Sequence, residues 1–215
     1  MKTPFGWVGS KYRCHKEIIN EFPITFKNYY EPFLGCGSIF FNLYNCKRVF
    51  QKAYLSDINR NLINCYTAIR DEPERIKKVL IHCCEKNSEE FYYSMRKNVS
   101  SPAVFIYLMR ACFSSLYREN QSGEFNTPWR KQDYIVMRKK ISMETDTIDR
   151  CSSYLNKWCG EIKRLKFEDA LKSVSTGDLV YADPPYVPYN TDGFTAYAKD
   201  GFGLSDHKWL HNCLL

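Results

Sequence analysis

No stretch of this 215-residue chain approaches the roughly 20 consecutive apolar residues that cross a bilayer. A secretory leader is missing as well: Lys2 is followed within two residues by Pro4, with no apolar segment of signal-peptide length behind it. The chain is therefore expected in the cytoplasm, with no membrane partner. Its ten cysteines contain no CxxC pair, the spacing on which zinc ribbons and redox motifs depend. They are expected as free thiols, mostly buried as small hydrophobes. His207 and His211 stand four apart but lack a second ligand pair, so no metal is expected. Internal repeats and low-complexity tracts are also absent. With 44% hydrophobic and 26% charged residues, the chain can fill one substantial core and is too apolar for disorder.

What the chain does carry is positive charge. A net +7 favours an acidic partner. Between Arg110 and Lys140 lie seven basic residues (110, 118, 130, 131, 138, 139 and 140) against three acidic ones, a net +4 in one stretch. Such a cluster is commonly a solvated face. Here it coincides with aromatic and turn residues, a mixture suited to phosphate and base contact.

Hydrophobic periodicity predicts alternating strands and helices. A helix follows Ser10 and carries Ile18, Ile19 and Phe22. Strands are predicted at 29–34, 53–57, 162–167 and 178–183, and helices at 37–46, at 71–86 and near 149–160. Asn59 caps a helix running to Ile69, Ser88 caps another over 88–98, and Pro102 opens an apolar helix ending near Cys112. From Phe113 to Gln132, turn residues around Gly123 and Pro128 indicate an ordered loop or hairpin. The expected fold is α/β, a doubly wound Rossmann-like sheet with a mainly helical insert. Residues 1–59 and 153–215 would form the sheet domain, and 60–152 the insert.

Two segments carry chemistry. The first is Asp183-Pro184-Pro185-Tyr186, after the buried strand-like run 178–182. The exocyclic amine of adenine is a poor nucleophile because its lone pair is delocalised into the ring. A carboxylate and a backbone carbonyl that accept its two N–H bonds localise that pair toward an electrophile. Two prolines offer no N–H and stiffen the turn, and Tyr186 can stack on a base. Alone, the same four residues read equally as a strand-ending turn.

The second segment runs from Tyr29 through Glu31, Phe33, Gly35 and Gly37 to Phe41: a strand, a glycine turn and a helix start. Asp57 follows Gly37 by twenty residues, at the end of the next strand, placed for ribose hydroxyls. Phe40 occupies the third glycine position of the dinucleotide fingerprint, and no group awaits a pyrophosphate. A nucleoside ligand without phosphates is indicated, and S-adenosylmethionine fits.

With both segments in one chain, the sequence resembles the Dam-type (D12 class, alpha group) site-specific DNA adenine-N6 methyltransferases over nearly its whole length. Pro4-Phe5-Gly6-Trp7-Val8-Gly9-Ser10-Lys11 is similar to the N-terminal segment of that family, and Asp57-Ile58-Asn59, Asn61–Asn64 and Phe194–Tyr197 match further pieces. The resemblance implies methyl transfer from S-adenosylmethionine to adenine N6 in double-stranded DNA, with GATC as the expected site. It implies DNA modification as the biological setting, including restriction–modification, and no metal. A monomer is expected. Catalysis would fall to Asp183, Pro184, Pro185 and Tyr186. The cofactor would be held by Trp7, Lys11, Glu31, Phe33, Gly35, Gly37, Asp57 and Asp183. From the residues alone, Trp7 reads as a core anchor and Lys11 as a surface charge. By resemblance, Lys11 pairs with the methionine carboxylate and Trp7 lies near the sulfonium.

The segments 110–120 and 123–128 are similar to the recognition segment of the family. They imply DNA contacts from Phe113, Ser114, Arg118, Asn120 and Pro128, with Arg130 and Lys131 on the basic flank. Arg118 would read a guanine edge, and Phe113 would fill the space left by the expelled adenine. Otherwise Phe113 is a core residue and Arg118 a partner of Glu124. Cytosine-N4 enzymes more often carry serine where Asp183 stands. Ser10 replaces the second glycine of the family, which would cost roughly 1 kcal/mol if the backbone there needs a positive φ. The chain ends at Leu215, before a further strand and hairpin that relatives carry, so a truncated, catalytically inactive DNA-binding remnant is the alternative expectation.

Overall fold

The structure, a computed structural model, describes residues 1–131, 134–186 and 202–215, with only the backbone of 134–144. The expected match at Phe194–Tyr197 and the side chains of Arg138, Lys139 and Lys140 lie outside the described residues.

Four parallel strands form the sheet: β1 (Asn28–Glu31), β2 (Lys52–Asp57), β3 (Cys159–Arg164) and β4 (Leu179–Val180), in the order β3-β2-β1-β4. The chain steps outward from β1 to β2 to β3, then returns across β1 to lay down β4. The direction of winding reverses between β1 and β4, which opens a crevice at their carboxyl ends. Tyr30 is opposite both Tyr54 and Val180, and the two tyrosine rings stack at 4.8 Å. Past the two paired residues of β4, Tyr181 N–H still donates to Tyr30 O at 2.9 Å.

The helices are α1 (His15–Asn20), α2 (Arg60–Asp71), α3 (Pro73–Glu85), α4 (Glu89–Arg96), α5 (Pro102–Ala111), α6 (Tyr134–Trp158), α7 (Phe167–Ala170) and α8 (Leu204–Leu214). Asn59 and Ser88 cap α2 and α4 as predicted, accepting from Leu62 N–H at 3.0 Å and Phe91 N–H at 3.1 Å. Helix α5 starts with proline and buries nearly every side chain, as an apolar helix must. One continuous core joins the sheet to α2, α3, α5 and α6 through Tyr29, Phe40, Tyr66, Leu80, Phe105 and Ile148. A smaller cluster of Phe167, Leu171 and Leu210 packs with Phe33, Val180 and Phe202.

Three elements differ from expectation. The predicted helix at 37–46 is a short 3-10 turn at Phe40–Asn42. The Asn42 side chain donates to Ser38 O at 2.9 Å, competing for the carbonyl an α-helix would give the Asn42 N–H. That N–H turns to Ile39 O at 3.0 Å instead. Helix α6 begins at Tyr134, fifteen residues earlier than predicted. Strand β3 ends at Arg164, because Phe167 turns inward to start α7 in the second core. No disulfide joins any of the ten cysteines, and Cys213 is exposed. No helix among the described residues is long and apolar enough to cross a membrane.

Gly37 holds the turn after β1 at φ 66°, and a Cβ there would stand 2.9 Å from the ring of Phe41. Gly37→Ala is expected to destabilise the fold by ~1–2 kcal/mol from backbone strain alone, read as a lower urea midpoint at unchanged slope. An unchanged midpoint would show that the turn relaxes freely.

Candidate active site

The crevice at the carboxyl ends of β1, β2 and β4 holds a cavity of about 390 Å³, a size suited to a small-molecule ligand. The last residue of β1, Glu31, the loop after it with Phe33 and Gly35, and the end of β2 at Asp57 supply the floor. Trp7 and Lys11 close one side, and Asp183, Pro184, Pro185 and Tyr186 the other. Leu165, Phe167 and Phe202 make an apolar wall. Of the expected cofactor residues, only Gly37 lies off the lining, buried one step behind the turn it shapes.

Asp57 ties the floor together. One carboxylate oxygen accepts from Gly35 N–H at 3.0 Å and the other from Asn59 N–H at 2.9 Å. Burial raises its affinity for a proton, and the N–H groups of Asn59, Gly35 and Ile58 oppose that rise. Gly35 sits at φ 49°, with an added Cβ 3.2 Å from the Trp7 ring, so tryptophan and glycine turn are in contact. Trp7 is thus both anchor and lining. It packs against Phe5 and Phe105 of the core while facing the cavity.

Glu31 is a buried acid, only 2% exposed, whose Oε2 accepts from Tyr29 Oη–H at 2.9 Å. Burial pushes its carboxyl up to about 8 against the restraint of Tyr29 and the Phe40 N–H, and the charges of Asp183 and Asp57 add to the rise. Asp183 forms an ion pair with Lys11 at 2.5 Å. Tyr186 Oη–H reaches the other carboxylate oxygen at 3.4 Å, and the Lys11 ammonium lies 5.1 Å over the Tyr186 ring. Burial would lower Lys11, but its bonds to Asp183 and Tyr186 outweigh that and hold the ammonium above its ordinary range.

Ser10 is unstrained at φ −50°, because Gly9 takes the left-handed step at φ 78°. The serine hydroxyl caps the following turn and meets Ser38 Oγ at 2.9 Å and Cys36 Sγ at 3.2 Å. This cluster of two hydroxyls and a thiol on the cavity wall had no signal in sequence spacing. Neither did Phe167 and Phe202, whose aromatic character alone is ordinary core. Among the described residues no group of three or more His, Cys, Asp and Glu is placed to hold a metal ion.

Next to Trp7 rises a hairpin. Asn126 N–H donates to Arg118 O, and Asn120 N–H to Glu124 O, both at 2.9 Å. Lower down, Phe113 N–H donates to Pro128 O and Arg130 N–H to Ala111 O, also at 2.9 Å. Trp7 stacks on Tyr117 at 5.4 Å, and Tyr117 on Phe125 at 5.5 Å, so aromatic contact runs from cavity to hairpin. Phe113 is 59% exposed, which corrects its reading as a core residue. Ser114 and Ser115 follow at φ 54° and 52°, a strained pair that turns the chain just after Phe113. Arg118 donates to Asn126 Oδ1 at 2.7 Å, whereas Glu124 engages Asn120 at 3.0 Å, so the alternative Arg118–Glu124 pair is replaced by two others. Pro128, Arg130 and Lys131 are exposed on the same segment.

A parallel sheet whose winding reverses beside an acid-lined cavity is consistent with a Rossmann-like methyltransferase fold. Residues 7–215 match the family model described as D12 class N6 adenine-specific DNA methyltransferase. The chain is 34% identical to a type II methyltransferase of Lactococcus lactis subsp. cremoris, over 96% of this chain and 74% of that protein. It is 32% identical to a type II methyltransferase of Methanocaldococcus jannaschii, over 96% and 76% respectively. To a DNA adenine methylase of Vibrio cholerae it is 32% identical, over 95% and 72%. The chain belongs to the D12 class of N6 adenine-specific DNA methyltransferases.

Glu31 yields a stability test. A carboxyl raised from its ordinary 4.5 to about 8 holds its proton more tightly folded than unfolded. Its contribution is therefore intact below about 4.5 and is lost as pH rises through about 8. Over that window the slope approaches roughly 1.4 kcal/mol per pH unit for one proton. Glu31→Gln should remove this slope in urea titrations of the ligand-free protein; an identical slope in the variant would place Glu31 outside the effect.

Proposed function

We propose that this protein transfers the methyl group of S-adenosylmethionine to the N6 amine of adenine in double-stranded DNA, within GATC, acting as a monomer. The observation that carries the reading is the common wall: Asp183, Asp57 and the Gly35 turn face one cavity. The residues suit the ligand. Asp57 is placed for ribose hydroxyls, the Phe33, Phe167 and Phe202 slot for an adenine ring, and the Trp7 face for a cationic centre. S-adenosylmethionine, when bound, supplies an electrophilic methyl group on sulfur.

The protein's part is positioning and electrostatics. Lys11 pairs with the Asp183 carboxylate at 2.5 Å. Lys11 would hold the carboxylate of the methyl donor, and Asp183 would accept from an amine N–H. A carbonyl of the Pro-Pro turn takes the second N–H, and Tyr186 offers its ring to the base. Reaching that position requires the adenine to leave the stack, at a cost of a few kcal/mol. Phe113, exposed at the foot of the hairpin, fills the vacated space, and the basic flank with Arg130 and Lys131 holds phosphates. Arg118, oriented by Asn126, reads a guanine. In this reading residues 1–59 and 153–215 perform the chemistry, and 60–152 recognise the DNA.

The test is incubation of labelled S-adenosylmethionine with duplexes containing or lacking GATC. Label is expected on adenine N6, reduced by about 100-fold or more in Asp183→Ala. Label on cytosine defeats the reading, and duplex binding without any transfer marks a DNA-binding remnant. Arg118→Ala is expected to lose about 1–3 kcal/mol of discrimination between GATC and altered sites with cofactor affinity intact. A drop in cofactor affinity instead would make Arg118 a structural residue.

A further inference from the structure

The turn that carries Asp183 has an unusual mechanical weakness. Pro184 and Pro185 have no N–H, so neighbouring acceptors cannot hold this stretch of backbone. At the two prolines the backbone can be held by hydrogen bonds only through its carbonyls. A donor from a distant part of the chain does this: His207 Nε2 lies 3.0 Å from Pro185 O, 22 residues away in sequence. His207 occupies the first turn of α8, a helix whose N-terminus is closed by Gly203 N–H donating to Asp206 Oδ2 at 2.8 Å.

The imidazole is itself braced. Its ring meets Phe202 edge-on at 4.7 Å and 88°. Phe202 stands edge-on against Phe33 at 5.5 Å and Phe167 at 5.8 Å, and these two rings stack on each other. All three phenylalanines line the cavity, and Leu210, one turn beyond His207, is buried against Phe167 in the second core. The histidine therefore joins the apolar wall of the cavity to the turn that carries Asp183.

We propose that His207 is a positioning residue for methyl transfer: its Nε2–H fixes the carbonyl of Pro185, and so the attitude of the Asp183 turn, from the aromatic wall of the ligand cavity. It touches neither reacting atom. With Pro185 O engaged by His207, the turn's remaining carbonyls are left to receive the amine. The inference rests on the methyl-transfer reading above and adds a residue outside every motif that carried it.

The discriminating variants follow from geometry. Glutamine places an amide N–H close to where histidine carries Nε2, whereas asparagine places its amide near Nδ1, too short to reach Pro185 O. In the full chain, His207→Ala and His207→Asn are expected to lower kcat about 10- to 100-fold, the scale of a displacement on the order of 1 Å at a reacting centre. Affinity for S-adenosylmethionine by calorimetry should stay within about threefold, and His207→Gln should recover most of kcat. Equal activity in the alanine variant overturns the proposal. So do asparagine and glutamine variants that behave alike, or a loss of affinity that parallels the loss of kcat. If the alanine variant does not fold, the asparagine–glutamine contrast decides alone. Absence of methyl transfer by the unaltered protein would instead remove the underlying reading, and the inference with it.

Discussion

The bracket made by the Asp57 carboxylate is the constraint on which the site depends. Its two oxygens take one N–H from the turn after β1 and one from the start of α2. A single side chain thereby sets the distance between neighbouring strand ends and the entry angle of the first long helix. The second bond between these loops, Leu34 N–H to Ser56 O at 2.9 Å, shares the load. Remove the carboxylate and two half-buried donors lose their acceptor, at roughly 0.5–1.5 kcal/mol each. The acid at the floor is therefore structural before any ligand arrives, and its free lone pairs are what remain for recognition.

Charge in the cavity is arranged in opposition. Three of the five carboxyls that line the cavity, those of Glu31, Asp57 and Asp183, stand with the Lys11 ammonium. Each acid is held differently: Glu31 by burial that keeps its proton, Asp57 by backbone donors, Asp183 by the lysine. Such divergent environments for like groups are typical of sites whose chemistry needs distinct protonation states. They also keep an otherwise repulsive cluster stable.

Most of the site was legible in the sequence because its residues sit where chain direction changes. Asp57 ends β2, while Gly35 and Asp183 follow within four residues of the ends of β1 and β4, and such ends are visible as breaks in hydrophobic runs. The caps at Asn59 and Ser88 were legible for the same reason. Illegible features depended on contacts across the chain. Asn42 displaces a helix by bonding to Ser38 and Met1, a competition no window of residues displays. Phe202 and His207 look ordinary in sequence and matter only through Phe33 and Pro185. Lys11, expected by resemblance to meet a ligand carboxylate, pairs with Asp183, a contact across 172 residues that no local window displays.

The stack of Trp7 on Tyr117 has a thermodynamic corollary. One indole forms part of two surfaces, the cavity and the base of the hairpin, and it has no second ring to spare for either. A shift of the indole at the cavity is therefore transmitted to Tyr117 and the hairpin, and by linkage any coupling between the two surfaces is equal in both directions. Trp7 cannot be altered at one surface without altering the other.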